Sequence, residues 1–245
     1  MTVDKEIRQN IVLEAIVKTH ISNALPVSSK FIAKMLGLSS ATIRNVMAEL
    51  EKAGYVKQPY TSAGRIPTDL GYRKYVDTLT YAESLSQYDV FTDLRNLINR
   101  KRLFDEIIES ISETISKLTK YMGIAISPRN KIYFDGIYHM LEQPDFRELK
   151  TIRDLLRIIE EEKDFLYTMK RDPDTEGITI RIGRENRRKE LKECTIITST
   201  YRFKKRISGN IGIIGPMRMR YKEVVPIVRQ LASVTTEILE GCMYE

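Results

Sequence analysis

A chain of 245 residues, 42% hydrophobic and 30% charged, is long enough for two modest domains, and no apolar run reaches the roughly 18 residues of a membrane helix. Two distant cysteines, Cys194 and Cys242, and two isolated histidines, His20 and His139, argue against a disulfide framework and a metal site and predict structural or surface roles for the histidines. The net charge of +7 is concentrated: residues 28–75 hold eight Lys and Arg against three Asp and Glu, residues 181–222 hold thirteen against three, and the rest is net acidic. Such zones point to a polyanionic partner or, on the blander reading, to two solvated basic faces.

In chain order, residues 4–19 repeat apolar side chains at helical spacing, with Ile7, Ile11, Leu13, Ala15 and Ile16 on or near one stripe. The first ten residues lack a charged-then-apolar secretory layout, so a cytoplasmic location is expected. Pro26 breaks the pattern, and Ser28 or Ser29 can cap a short second helix that stops at Gly37. Ser39 is placed to cap a third. There Ile43, Val46, Met47 and Leu50 fall at i, i+3, i+4 and i+7, and Gly54 ends the helix. Two helices so closely joined make a helix–turn–helix.

The opposite face of the third helix carries Ser40, Ala41, Arg44, Asn45 and Ala48 rather than the Glu and Lys pairs of a solvated helix. Short side chains allow close approach to a groove floor, Arg pairs with guanine and Asn with adenine, and the start of the second helix of this motif reads base edges. Ser39, Ser40, Thr42, Arg44 and Asn45 are therefore candidates to read or border bases. Next, "YVKQP", "YTSAG" and "RIPT" predict a β-hairpin wing, with Gly64 supplying unusual backbone angles. Tyr60, Thr61, Ser62 and Arg65 are candidates to hold the phosphate backbone or enter the minor groove. A polar hairpin without a partner is the alternative.

Thr68 or Asp69 can cap a helix through "LGYRKYVDTL", and "TYAESLSQYD" follows as a linker or helix start. Residues 90–121 carry helical spacing, clearest from Phe104 onward, as a core helix, a dimer seam or both. Residues 122–138 read as two short strands around a turn at Pro128 and Asn130. A helix pair or one long helix follows Pro144. "GITIRIG" alternates as a strand, "CTIITSTYRF" and "ISGNIGIIGP" form a hairpin with a basic turn, and a final helix begins near Tyr221.

Residues 38–77, "LSSATIRNVMAELEKAGYVKQPYTSAGRIPTDLGYRKYVD", closely resemble the N-terminal region of HrcA, the bacterial heat-inducible transcription repressors, with "SATIRN", "TSAGRIPT" and "GYRKYVD" in the family's order. "DGIYHMLEQPDF", "ITIRIGREN", "CTIITSTYR" and "GNIGIIGPMRMRYKEVVPIV" resemble the family's C-terminal region. The resemblance implies a winged-helix domain, a GAF-like domain, repression of chaperone genes at an inverted-repeat operator, inactivation by heat and restoration by the GroE chaperonin. It also implies a short form: only a few residues join "YMGIAISP" to "FDGIYHML", where family members carry an inserted dimerisation domain.

The expected fold class is α+β: a winged helix–turn–helix domain over 1–80, a helical linker or dimer helix over 81–121, and a reduced GAF-like domain over 122–245. The chain shows neither a phosphate-binding loop nor a nucleophile elbow, so no enzyme, metal or cofactor is expected. The expected partners are double-stranded DNA and a second copy of the chain, with GroE implied by the resemblance and no membrane. Two further readings are a ligand-gated regulator using the GAF-like domain and a chaperonin-binding or scaffold protein. The basic patches at 184–192 and 202–206 read as a solvated loop and hairpin tip, or as contacts to the DNA backbone or to an acidic partner surface.

Overall fold

The computed structural model describes residues 2–81, 104–146, 148–161, 177–186, 188–204 and 206–241. The chain divides into two compact units, Met1–Thr80 with Met217–Arg220, and Tyr81–Pro216 with Tyr221–Glu245.

The first unit begins with α1, Thr2–Asn23. Its buried side chains are Val12, Leu13, Ala15, Ile16 and Val17. Ile7 and Ile11, expected on the same stripe, are 51% and 48% exposed. The inward face of the helix is centred on Val12, Leu13 and Ile16, and at the helical period Ile7 and Ile11 fall on the opposite side, toward solvent. Helix α2, Ser29–Leu36, is capped by Ser28, whose Oγ accepts from the Phe31 N–H. It ends at Gly37 in the left-handed region (φ 67°). Helix α3, Ser40–Lys52, buries Ile43, Val46, Met47 and Leu50 as the spacing predicts. Gly54 (φ 79°) lets the chain reverse, so that the Tyr55 N–H reaches Leu50 O and the Gly54 N–H reaches Glu51 O. Strands β1, Val56–Lys57, and β2, Ile66–Pro67, pair antiparallel, and Val27 forms a further bridge with Arg65. Thr68 then caps α4, Asp69–Asp77, accepting from the Gly71 N–H while its own hydroxyl donates to Gly54 O at 2.6 Å. His20 takes the structural role expected of it, with Nδ1 2.6 Å from the hydroxyl of buried Tyr72.

The second unit is built on a five-stranded antiparallel sheet in the order β4-β3-β7-β6-β5. Its strands are β3, Met122–Ile126, β4, Ile132–Asp135, β5, Ile178–Ile182, β6, Cys194–Phe203, and β7, Arg206–Pro216. Alternation along the strands sends side chains to two faces. On one face lie α5, Phe104–Thr119, and α8, Tyr221–Gly241, and Thr195 meets Tyr221 there, hydroxyl to hydroxyl, at 2.9 Å. On the other, Met122, Ile124, Ile126, Ile196 and Ile214 pack with Met140 of α6, Ile137–Leu141, with Phe146, and with Leu155 and Ile158 of α7, Leu149–Glu160. The apolar face of α5 is thus buried in this domain. The α+β class with an N-terminal winged helix–turn–helix matches the sequence expectation. The helix expected over 90–103, the chain from 162 to 176, and Cys242 lie outside the described residues.

Two details control the sheet. The β3–β4 turn is closed by Ser127 N–H to Lys131 O and Asn130 N–H to Ser127 O, both 2.9 Å, with Asn130 at φ 65°. Tyr201 is fully buried and donates its hydroxyl to Ile126 O at 2.9 Å across the intervening β7. Burial pushes that phenol well above its usual range. The ring passes over Gly209, where a Cβ would lie 2.5 Å from the Tyr201 hydroxyl and 2.0 Å from Ile126 O.

Candidate nucleic-acid interface

Helix α3 presents the predicted reading face, with its polar residues split between two tasks. Ser39 is exposed and acts as the N-cap. Its Oγ accepts from the Thr42 N–H at 3.0 Å and lies 2.8 Å from Thr42 Oγ1. Ser40 is half-buried, 3.4 Å from Ser29 Oγ on the preceding helix. The hydroxyls of Ser39, Ser40 and Thr42 therefore fasten the turn between the two helices. Arg44 and Asn45 are exposed, between exposed Ala41 and Ala48, and among the described residues no hydrogen bond or ion pair engages either side chain. An unpaired Arg and Asn flanked by alanines leave five donors, an amide pair and room for close approach.

The wing places Tyr60, Thr61 and Ser62 at an exposed tip, with Tyr60 65% exposed. The Ala63 N–H closes the tip on Tyr60 O at 3.0 Å, and Gln58 Nε2 braces it from below by donating to Ala63 O at 3.1 Å. The left-handed residue here is Ser62 (φ 68°), and Gly64 serves a different purpose from the one expected. A Cβ on Gly64 would sit 2.3 Å from Val27 O, so glycine is required by close approach of two main chains.

Arg65, expected at the phosphate backbone or minor groove, is engaged inside the domain. Its Nε and Nη2 reach Glu51 Oε2 at 3.1 and 2.9 Å. Sequence reasoning passed over Glu51, which lies just off the buried face of α3 and meets its partner only after the hairpin turns back. It also passed over Glu49, which accepts from Lys5 at 2.8 Å and Gln9 at 2.8 Å and so ties α1 to α3. These hydrogen bonds hold the Glu49 carboxyl below its ordinary value. The charge excess of residues 28–75 includes exposed Lys30, Lys34, Lys52 and Lys57.

In the second unit the described residues of the basic segment 184–192 are held by specific contacts. Asn186 Nδ2 donates to Gly183 O, Leu191 O and Cys194 O at 3.0, 3.1 and 2.9 Å, and Arg188 pairs with Glu161 at 3.4 Å. Among the described residues no cluster of His, Cys, Asp and Glu is arranged to hold a metal ion, and no helix is long and apolar enough to cross a membrane.

A capped helix–turn–helix followed by a braced hairpin, with Arg and Asn free on the second helix, defines a winged-helix DNA-binding regulator. Residues 12–72 match the family described as HTH domain, and residues 89–225 match the HrcA protein C terminal domain. The heat-inducible transcription repressor HrcA of Symbiobacterium thermophilum is 31% identical over 333 residues, spanning 94% of this chain and 98% of that protein. The HrcA repressor of Desulforamulus reducens is 28% identical over 340 residues, spanning 96% and 98%. The crystal structure of a hypothetical protein at 2.2 Å resolution superposes with a TM-score of 0.76 at 21% identity over 96% of this chain and 97% of that one, and so has the same fold. The chain belongs to the HrcA family of heat-inducible transcription repressors, which are regulators and not enzymes.

Proposed function

We propose that this chain represses chaperone genes by binding an inverted-repeat operator as a homodimer, with Arg44 and Asn45 reading bases and the wing tip at Tyr60, Thr61 and Ser62 against the backbone. The observation that carries the reading is the α3 face, where two base-reading side chains stand free among alanines while every serine and threonine hydroxyl of the turn is turned to structural use. Two copies related by a two-fold axis would set their α3 helices on half-sites about 34–36 Å apart or a multiple of that. The exposed lysines supply the salt-dependent, sequence-independent part of the affinity.

The family name supports heat as the trigger. If the DNA-competent dimer is marginally stable, the large unfolding enthalpy of a domain turns a few degrees into a large fall in its population. GroE enters this proposal as the partner that restores the competent form. Both alignments with relatives run over more positions than this chain has residues, and the tight β3–β4 turn falls where the family's inserted domain was expected. The dimer of this short form is accordingly built without that insert.

The test is fluorescence anisotropy at fixed salt with an inverted repeat from upstream of the host's own chaperonin genes and a scrambled duplex of equal length. Preference for the repeat by roughly a thousandfold or more supports operator binding. Equal, weak, salt-sensitive binding to both duplexes overturns it.

A second reading, a ligand-gated regulator, is favoured by one feature of the second unit. A cavity of about 750 Å³ lies beside α7, lined by charges of both signs that include Glu148, Asp154, Lys189 and Lys192. A zwitterionic ligand that raised the melting temperature in proportion to its occupancy would support this reading.

A further inference from the structure

We propose that Glu51 and Arg65 form a clamp that sets the angle of the wing against the reading helix, so that Arg65 is a positioning residue for DNA binding and not a contact to DNA. The proposal rests on the DNA-binding reading above.

Three bonds converge on one carboxylate. Glu51 Oε2 accepts from Arg65 Nε at 3.1 Å and from Nη2 at 2.9 Å, and Oε1 accepts from the Gln58 backbone N–H at 3.1 Å. Gln58 follows β1 and Arg65 precedes β2. One side chain on the last turn of α3 therefore holds both legs of the hairpin. The strand ladder is too short to do this, since it pairs only Val56 with Pro67 and Lys57 with Ile66, and an isolated hairpin is marginal in water.

The other side of Arg65 is fixed as well. Its backbone exchanges two hydrogen bonds with Val27, at 2.8 and 2.9 Å, and Gly64 permits that approach. The Arg65 side chain is 20% exposed. A guanidinium held in this way meets a carboxylate along two N–H directions at once, which a lysine ammonium on a flexible stem does not reproduce. Moving it to a phosphate would break both bonds and release the base of the wing.

The test uses the full chain and the same inverted-repeat duplex, with Glu51→Ala, Arg65→Ala, Arg65→Lys and the double alanine variant. The clamp predicts that both alanine variants and Arg65→Lys weaken binding by roughly tenfold, and that the double variant is no weaker than the worse single one, because a single interaction is being removed. The slope of affinity against salt stays at the wild-type value. Arg65→Ala lowering that slope by about one while Glu51→Ala leaves affinity intact would make Arg65 a phosphate contact and overturn the proposal. Arg65→Lys binding like wild type would overturn it too.

Amide hydrogen exchange at Gln58, measured without DNA, reads the clamp directly. Faster exchange in Glu51→Ala supports it, and unchanged exchange in that variant overturns it. If the wild-type chain ignores the repeat, operator binding fails as a function, and Gln58 exchange still decides whether the clamp exists.

Discussion

The wing and the β6–β7 hairpin are both antiparallel, yet they are held by different means. β6 and β7 pair from Cys194 opposite Pro216 to Phe203 opposite Arg206, in the middle of a sheet covered on both faces. The wing pairs two residues with two, leaves its tip in solvent, and depends on the Glu51 side chain from α3 and on the main chain of Val27. In the first case the backbone ladder and apolar burial supply rigidity, and side chains such as Tyr201 add cross-strand bonds. In the second, rigidity comes from a few charged and amide groups. A hairpin whose tip stands in solvent has little apolar surface to bury, so its geometry rests on specific polar contacts. Changes to these should alter binding before they alter global stability.

The largest effect expected from breaking this contrast lies in the sheet. Gly209→Val drives a side chain into Ile126 O and the Tyr201 ring and should cost about 3 kcal/mol or more in denaturant unfolding. Cys194 reports the same opening: it is fully buried, its thiol is pushed up to about 12 by that burial, and in a Cys242→Ser background it should be alkylated only as the sheet opens. Arg44→Ala comes next, on the other side of the contrast. It should lose about 1–3 kcal/mol of operator affinity and relax preference at one base pair, with the melting temperature unmoved. Equal loss on all DNA sequences would make Arg44 a phosphate contact.

Ser39→Ala should lower stability by about 1 kcal/mol through loss of the α3 cap. Ser39→Asp should keep the cap and still weaken DNA binding, because it adds a negative charge at the start of the reading helix. The smallest effect is at Glu49. Its folded pKa lies below the ordinary 4.5, so its bonds to Lys5 and Gln9 contribute at neutral pH and are lost as pH falls through the folded value. Stability measured down the acid limb should fall less steeply in Glu49→Gln than in wild type.

The sequence by itself determined the elements and their order. Ser39, the Ile43–Val46–Met47–Leu50 spacing and Gly54 specified a capped helix because caps and amphipathic periods are local, and the alternation of "GITIRIG" and "CTIITSTYRF" specified strands for the same reason. The free face of α3 was legible as well, since it is the complement of the buried one. Tertiary structure alone decided which polar residues are spent inside the protein. Arg65 and Ser62 share one short loop, but Arg65 is drawn to Glu51 fourteen positions earlier while Ser62 stays at the tip. Ile7 and Ile11 share a stripe only with each other, and the packing around Val12, Leu13 and Ile16 leaves that side of α1 outward. Gly64 and Gly209 are glycines because another main chain passes within van der Waals distance, and not because of their own torsions. Local spacing fixes which torsions a segment adopts. Which atoms meet across the fold depends on where distant segments return, and a one-dimensional pattern carries no record of that.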